Sequence, residues 1–485
     1  MSDCELKRFR RKLLLVVALG VLLRGAYGLV IVDDPLAGDA FNYATVAAAI
    51  SDGRWFVEPF AIPDTPSAEH PPVTSLVLAV APLVVGQDWK IGEVPGYVLF
   101  QRWTLALVGG ATVLLVGLYG RRLVGARTGL LAAGVTALNP NLWVNDGLLM
   151  SESLAAVATM ALLLALDQAR CRERDHPRRL LDWVLVGVLA GAGALVRSEA
   201  LVVAVLAILP VWWMAMRGSV KDAVRSAASA CAAALLVVAM WIGPNLARFS
   251  GPVLFSTNDG LTLLGANCPE TYSGEFIGLW TIECTRLADA DGNGIDDWTD
   301  LRRADSSSEP TPDPARESTA WRKAALRYAR DHVGRVPVVI AARVLRLWGV
   351  YDPDGMVDYN RGEGRRPVVS WLGWACHVVA TPLAVIGLVL MRRRRERVWP
   401  IVAQALGATV VAAGIYGLVR FRVGWDVAAG VPVAVALSAG CTRWGGSLQR
   451  RGAAWPSSSK ANLRTDPPSG DGNVRKLVSW RDSPS

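Results

Sequence analysis

Long apolar blocks alternate with short polar links along most of the chain. The blocks cover residues 13–32, 97–120, 128–144, 147–167, 182–197, 199–216, 226–244, 369–391, 398–419 and 423–442. An α-helix needs about 20 apolar residues to cross a hydrocarbon core of about 30 Å. The pattern therefore predicts an all-α polytopic membrane protein with about ten, and at most about twelve, transmembrane helices.

The basic residues predict an orientation for these helices. Lys and Arg cluster in the links at 7–12, 121–127, 170–179, 217–225 and 392–397. Such clusters mark the cytoplasmic side of a membrane protein. Placing all of them inside gives ten crossings with both termini in the cytoplasm.

The links also divide the chain into parts. We expect an N-terminal membrane module with a first outer loop, a large outer lobe, a group of C-terminal transmembrane helices, and a disordered cytoplasmic tail rich in Ser, Pro and Gly. These parts cover 1–248 (with the loop at 33–71), 249–368, 369–443 and 444–485.

Two shorter apolar stretches are expected on the outer side. Residues 72–85 are too few for a comfortable crossing. We interpret them as a juxtamembrane or re-entrant helix, although the sequence leaves a crossing open. Residues 336–350 contain Arg343 and Arg346 among apolar positions, a pattern typical of a helix lying at the membrane interface.

Composition excludes soluble, fibrous and disordered proteins. Hydrophobic residues make up 52% of the chain, charged residues 19%, and the mean hydropathy is +0.31. The net charge of +9 is accounted for by the basic links, and no nucleic-acid motif is present. Cys268 and Cys284 are the two cysteines expected outside, where disulfides persist. A bond between them would contribute about 3 kcal/mol, and two free thiols are the alternative.

Unusual polar residues gather on the predicted outer side. An Arg held there without a run of like charges needs an anionic partner: a lipid headgroup, a neighbouring Glu199 or Asp426, or a phosphate. Ionisable groups at the membrane are functional candidates by default. The unusual polar residues on this side are Asp33, Asp34, Asp39, His70, Asn145, Asp146, Ser151, Glu152, Arg197, Glu199, Arg420 and Arg422.

A series of short motifs resembles the GT-C superfamily of membrane glycosyltransferases. The resemblance is to the family 39 type, related to protein mannosyltransferases and lipid A aminoarabinose transferases, and it covers about residues 10–440. The motifs are Gly38-Asp39-Ala40-Phe41-Asn42-Tyr43, His70-Pro71-Pro72, Asn139-Pro140-Asn141-Leu142-Trp143 with Met150-Ser151-Glu152, Leu195-Val196-Arg197-Ser198-Glu199, Ser256-Thr257-Asn258-Asp259-Gly260 with Gly265-Ala266-Asn267-Cys268, and Arg420-Phe421-Arg422-Val423.

The resemblance implies a reaction. Such enzymes move a sugar, with inversion, from a polyprenyl-phosphate carrier to an acceptor hydroxyl on the outer face of the bacterial plasma membrane. The sugar could be a hexose or a pentose, and the acceptor a lipid, a polysaccharide or a protein. Membrane lipids would surround the enzyme. The dependence of the chemistry on a divalent metal stays open, because relatives differ.

The resemblance also implies roles for individual residues. Asp39 matches the catalytic base, with Asp34 as the next candidate. Glu152 matches a second acidic position that places the acceptor or a metal; Asp146 is its rival, and a plain N-terminal cap is the alternative. Three arginines and a histidine would contact the donor phosphate: His70, Arg197, Arg420 and Arg422. Gly424-Trp425-Asp426 departs from the Pro-rich continuation of relatives, which leaves the local geometry open.

A separate acidic stretch in the outer lobe resembles a calcium loop. Oxygen ligands alternate around a Gly, as in calcium sites, but the spacing differs from an EF-hand. A solvated acidic loop is the alternative. The candidate ligands are Asp289, Asp291, Asn293, Asp297 and Asp300.

Two other classes of function are alternatives to a transferase. A transporter or flippase of a lipid-linked sugar would place polar groups at the bilayer midplane, often in paired repeats. A non-catalytic scaffold would only present the outer lobe. The absence of a Gly-rich nucleotide loop argues against a nucleotide-sugar donor.

Overall fold

The structure is a computed structural model that describes residues 3–58, 65–171, 179–216, 219–287 and 314–440. Helices dominate these residues, and the strands among them are the two-residue pair Lys90–Ile91 and Val94–Pro95. The calcium-loop candidates at 289–300 and the tail at 444–485 lie outside the described residues, so both remain predictions.

The helices are numbered here in chain order. They are α1 (Asp3–Val30), α2 (Asp39–Ser51), α3 (Val73–Leu78), α4 (Val80–Val85), α5 (Tyr97–Val124), α6 (Ala126–Leu138), α7 (Pro140–Gly147), α8 (Glu152–Cys171), α9 (Arg179–Val196), α10 (Ala200–Met216), α11 (Val220–Arg248), α12 (Asp259–Leu264), α13 (Pro269–Tyr272), α14 (Pro314–Asp331), α15 (Val336–Leu347), α16 (Pro353–Gly362), α17 (Pro367–Arg393), α18 (Trp399–Gly414), α19 (Val423–Ala428) and α20 (Gly430–Gly440). Short 3₁₀ turns lie at Ile282–Leu287 and Val419–Arg422.

The predicted all-α, polytopic fold is confirmed, and each predicted span contains a helix. Among the described residues, five helices are long and apolar enough to cross a membrane: α1, α5, α8, α11 and α17. The segment from Val419 to Gly440 counts as a sixth if its 51° bend lies within one span. The other predicted spans hold shorter apolar helices: α6, α9, α10 and α18.

The third predicted span is interrupted at Asn139-Pro140. Pro140 has no N–H to donate, so the preceding helix ends before it. Asn139 then caps α7, because its side-chain oxygen accepts from the backbone N–H of Asn141 at 3.0 Å. The break starts a new helix that leads to Asn145 and Asp146.

Small residues let the membrane helices approach closely. A Cβ on Gly187 of α9 would lie 2.0 Å from the carbonyl oxygen of Ala230 on α11, and one on Gly387 of α17 would lie 1.9 Å from that of Pro432. Close backbone contact of this kind is how helices associate in lipid, where apolar side chains gain little from one another.

Contacts divide the helix ends into two groups. At one end, Arg102 near the start of α5 donates to the carbonyl oxygens of Ile31 (2.5 Å) and Asp34 (3.2 Å), just before Asp39. At the other end, Arg122 near the close of α5 pairs with Asp167 near the close of α8. We call these the Asp39 end and the Asp167 end.

The segment Val73–Val85 enters and leaves at the Asp39 end. His70, just before it, lies 3.6 Å from Asp39. After it, Gln101 in the first turns of α5 donates to the carbonyl oxygen of Leu78 at 3.3 Å. The segment therefore does not cross the bundle, as its short apolar length predicts.

The lobe formed by 249–368 contains the predicted disulfide. Cys268 and Cys284 are bonded, with their Cα atoms 5.5 Å apart. A helix lying at the membrane interface would expose its arginines, but those of α15 are buried. Arg343 is 4% exposed and Arg346 is fully buried. They donate to the carbonyl oxygens of Ala266 (2.5 Å) and Ile277 (2.8 Å), and so satisfy these backbone acceptors.

Candidate active site

Asp39 begins α2 and carries the carboxylate at the centre of the site. Gly38 before it adopts a positive φ of 54°, which turns the chain into the helix and aims the Asp39 side chain inward. The Asp39 carboxylate pairs with the guanidinium of Arg420, and His70 Nε2 lies 3.6 Å from its other oxygen. Residues far apart in the chain thus meet on one carboxylate.

Glu152 begins α8 and lies beside the same arginine. It is fully buried, and its Oε1 pairs with Arg197 Nη1 and lies 2.9 Å from Arg420 Nε. Arg197 also donates to Ser151 Oγ at 3.1 Å and to Glu199 at 2.6 Å. A carboxylate that links two buried arginines does more than cap a helix.

The structure therefore brings together five of the predicted residues. Asp39, Glu152, His70, Arg197 and Arg420 form one cluster, which we call the Asp39 cluster. The cluster joins the starts of two helices to two links between spans.

Arg422 lies elsewhere. In a 3₁₀ turn, residues two apart point to different sides. Arg422 Nη1 donates to the carbonyl oxygen of Leu347 at 2.6 Å, and its Nε lies 3.2 Å from the carboxylate of Asp426. His377 Nδ1 lies 3.5 Å from the same carboxylate. The contacts of Arg422 anchor the turn that carries Arg420. Arg422 itself lies outside the Asp39 cluster, where its contact with the donor phosphate was predicted.

The rival acidic residues have partners outside the cluster. Asp146 pairs with Arg24 of α1 at 2.7 Å, and Gly109 provides the space, since a Cβ there would lie 2.4 Å from both side chains. Asp34 forms a bidentate pair with the exposed Arg366, at 2.9 Å from each oxygen. These contacts explain both residues as structural ion pairs.

Sequence reasoning missed Glu69, Glu363 and Arg365. Glu363 Oε1 lies 3.0 Å from Arg420 Nη1, and Arg365 Nε lies 3.9 Å from Glu363 Oε2. Glu69 Oε2 accepts from Asn42 at 2.5 Å, and its Oε1 lies 3.8 Å from His70 Nε2. Its position directly before His70-Pro71-Pro72 was a usable signal, whereas Glu363 and Arg365 lie in a polar link without a pattern.

Burial and charge shift the pKa values of the loop residues in opposite directions. Burial alone would raise the pKa of Asp39, but the Arg420 guanidinium holds it well below its usual range. Burial, then the carboxylates of Glu58 and Asp39, raise the pKa of Glu69 to about 8. Burial lowers the pKa of His70, and the two arginines add to this effect. At neutral pH, Asp39 is thus charged while Glu69 and His70 are neutral.

An apolar groove leads away from the cluster. It lies between α8, α9, α10 and α18, and its polar end is formed by Arg197, Glu199 and Arg420. Its walls are apolar or small side chains, including Leu162, Leu189, Ala190, Val203 and Ala204. A lipid chain with an anionic head would match this combination.

No metal site stands out among the residues that the structure describes. The one group there with metal-ligating spacing is Cys268, Glu270 and Cys284, and its two sulfurs are joined to each other. The disulfide leaves no thiolate to bind a metal.

The comparisons agree with the motifs. A family model described as dolichyl-phosphate-mannose-protein mannosyltransferase matches residues 69–242, which include His70, Glu152 and Arg197. No protein with a curated function matches the sequence. The fold and the apolar helices thus define a multi-pass membrane protein, and its residues 69–242 match a family of mannosyltransferases.

Solved structures share this fold. The archaeal oligosaccharyltransferase AglB from Archaeoglobus fulgidus, in complex with an inhibitory peptide and a dolichol-phosphate, matches with a TM-score of 0.52 and 16% identity over 95% of this chain and 53% of that chain. Its apo form matches with a TM-score of 0.51 and 14% identity over 93% and 53%. ArnT from Cupriavidus metallidurans, bound to undecaprenyl phosphate, gives a TM-score of 0.39 and 16% identity over 93% of this chain and 81% of that chain.

The sequence-based recognition is therefore confirmed. Residues 69–242 match the mannosyltransferase family, and the chain shares the fold of AglB. It spans about half the length of the archaeal oligosaccharyltransferase, so the match shows a shared fold for that part.

Proposed function

We propose that this protein transfers a sugar, with inversion, from a polyprenyl-phosphate donor to an acceptor hydroxyl at the outer face of the bacterial plasma membrane. One observation carries the proposal: Arg420, which pairs with Asp39, lines the polar end of the apolar groove. A base, a cation for phosphate and a path for a lipid chain are thereby adjacent.

The groove suits the lipid part of the donor. Apolar walls between α8, α9 and α10 would let a prenyl chain stay in surroundings as apolar as the bilayer. Arg197 and Arg420 would then meet the phosphate, for which the guanidinium fork is well shaped. AglB, which shares the fold, was solved with a dolichol-phosphate. That likeness supports a lipid-phosphate carrier of this kind.

The cluster supplies the parts of a single displacement. Asp39 takes the proton of the acceptor hydroxyl as its oxygen attacks the anomeric carbon. The bond from that carbon to the phosphate oxygen breaks, and its electrons leave with the polyprenyl phosphate. Arg420 and Arg197 stabilise the charge that develops there, and Glu152 keeps both guanidiniums in place. Attack from the side opposite the phosphate inverts the anomeric carbon.

Donor binding would also activate the base. In the structure, Arg420 holds the pKa of Asp39 low, which makes the carboxylate a weak base. A phosphate that attracts Arg420 would weaken this pair and raise the basicity of Asp39. Neutral His70, 3.6 Å away, would keep the carboxylate oriented. The base therefore becomes effective when the donor is in place.

The distribution of charge supports the outer face as the location. The basic links 121–127 and 392–397 lie with Arg122 and Arg397 at the Asp167 end. If that end is cytoplasmic, the Asp39 cluster faces outward. A polyprenyl-phosphate sugar presented on that face could serve a lipid, polysaccharide or protein acceptor.

The test is sugar transfer in membranes that contain the full chain. Radiolabelled polyprenyl-phosphate sugars, hexose and pentose, are supplied to wild type, Asp39→Asn and Asp34→Asn. We expect Asp39→Asn to lose about 100- to 10,000-fold in transfer at equal abundance, the size of a general-base contribution. Asp34→Asn, the matched control, changes only an exposed pair with Arg366 and should stay within about threefold.

Each outcome has a clear meaning. Equal transfer by Asp39→Asn and wild type would remove Asp39 as the base. Movement of the labelled carrier across the membrane without loss of its sugar would favour a flippase. The labelled product would identify the acceptor class.

A further inference from the structure

Three carboxylates surround Arg420 in the state that the structure shows. Among the described residues, Nη2 pairs with Asp39, Nε lies 2.9 Å from Glu152, and Nη1 lies 3.0 Å from Glu363. A donor phosphate is an anion and would meet this negative charge as it approaches the guanidinium. Withdrawal of one carboxylate would lower the repulsion and free the N–H group that it occupies.

Glu152 is poorly suited to leave. It is fully buried and is held by Arg197 as well. Moving it would separate a buried carboxylate from two cations, which is costly. Asp39 is needed beside the acceptor in the proposed reaction.

Glu363 has a second cation ready to receive it. Arg365 Nε lies 3.9 Å from Glu363 Oε2, and these two buried atoms have no hydrogen-bond partner among the residues that the structure describes. Arg365 is itself fixed, because its Nη2 donates to Asn145 Oδ1 at 2.9 Å. Buried donors and acceptors that stay unpaired are costly and call for an explanation.

A small movement would pair them. A normal hydrogen bond of this type is about 2.9 Å long, so Glu363 need shift by only about 1 Å toward Arg365. Glu363 lies just past the end of α16, between Gly362 and Gly364, and Gly364 has a positive φ of 81°. Glycines on both sides let this short link change its backbone angles at little steric cost.

We propose that Glu363 is a switch residue that passes from Arg420 to Arg365 when the donor phosphate binds. The inference rests on the proposed function and deepens it by naming how the phosphate site opens. Arg420 Nη1 exchanges a carboxylate for a phosphate oxygen, and Arg365 Nε gains the carboxylate it lacks. Glu363 and Arg365 are positioning residues, since they act through Arg420.

The experiment measures binding of radiolabelled undecaprenyl phosphate to the purified full chain in nanodiscs. The variants are Glu363→Gln, Arg365→Gln and the double variant. Glu363→Gln should tighten binding about three- to tenfold, because no carboxylate competes for Nη1. Arg365→Gln should weaken it about five- to tenfold, because Glu363 has no other cation to accept it.

The double variant is decisive. Once Glu363 is neutral, Arg365→Gln should change binding by less than about twofold, since the two residues act as one unit. An equal loss with and without Glu363 would mean that Arg365 has a merely structural role and would overturn the switch. In the transfer assay, Arg365→Gln should raise the donor KM more than it lowers kcat.

Controls separate the possible failures. Arg361→Gln, on the exposed side of α16, and Glu270→Gln, exposed in the lobe, should bind like wild type. If Arg365→Gln does not fold, Arg365→Lys retains the charge without the Nε donor and should still weaken binding. Wild-type binding that no variant alters would overturn the switch alone. Absence of wild-type binding would overturn the proposed function and the switch with it.

Discussion

The two ends of the helix bundle both carry carboxylates paired with arginines, but in different ways. At the Asp167 end, one buried carboxylate accepts from Arg122 and Arg397, whose side chains are 38% and 37% exposed. Water reaches both cations, and the carboxylate is satisfied on both oxygens. This arrangement ties α5, α8 and the start of α18 together.

At the Asp39 end, the arginines are largely buried and the hydrogen bonding around them is incomplete. Arg420 is surrounded by carboxylates, and atoms of His70, Glu152, Glu363 and Arg365 lack hydrogen-bond partners among the described residues. The lining of the apolar groove includes Arg197 and Arg420, but it does not include Asp167, Arg122 or Arg397. Unpaired polar atoms beside a groove are typical of a binding site, whereas a fully paired cluster is typical of a structural contact.

The sharpest contrast between the ends is expected for matched arginine substitutions. Arg420→Lys should lower kcat/KM for transfer by about 100- to 1,000-fold, because a lysine cannot reproduce the guanidinium contacts with the leaving phosphate. Arg397→Lys, at the Asp167 end, should change it by less than about threefold, because its cation is already solvated. Transfer rates at equal abundance measure both.

A comparable loss in the two variants would contradict the contrast. It would show that both arginines act through stability and that burial at the Asp39 end has no special role in the chemistry.

The buried pair Arg24–Asp146 extends the comparison to the interior of the bundle. Asp146→Leu should destabilise the protein by about 3–5 kcal/mol, because it leaves Arg24 charged and without its carboxylate between α1 and α5. Replacing both residues by leucine should recover much of this loss. Unfolding in mixed micelles measures the difference, with Asp34→Asn as a control that should unfold close to wild type, because its pair with Arg366 is exposed. A double variant as unstable as the single one would show that the pair itself is required.

The helical pattern and much of the cluster could be predicted from the sequence. Apolar blocks determine the spans, and a residue such as Arg197, isolated between two spans, signals a function by its position alone. Motifs placed Asp39, Glu152 and Arg420 in one site before any geometry was known. These signals are local, because they depend on neighbours in the chain.

The sequence could not show the direction in which a side chain points or its partners from distant parts of the chain. Arg420 and Arg422 are two residues apart in the same motif, yet the 3₁₀ turn sends only Arg420 into the cluster. Asp146 is the rival of Glu152 in the sequence, and only the structure shows that it pairs with Arg24 outside the Asp39 cluster. Glu363 carries no pattern, and its role arises only because the fold places it beside Arg420.

The smallest expected effect concerns Glu69, which the Asp39 end keeps protonated. Its pKa is raised to about 8 in the folded protein, against 4.5 for the ordinary group, so the folded state holds a proton that the unfolded state has released. The stability contributed by Glu69 should therefore be fully present below about pH 4.5 and fall as pH rises to about 8. Glu69→Gln removes this dependence. The melting temperature of the variant, relative to wild type, should rise between pH 5 and pH 8, with Glu270→Gln as the exposed control. Parallel melting curves for wild type and Glu69→Gln would show that the carboxyl is already ionised beside Asp39, and that the Asp39 end tolerates more negative charge than its contacts suggest.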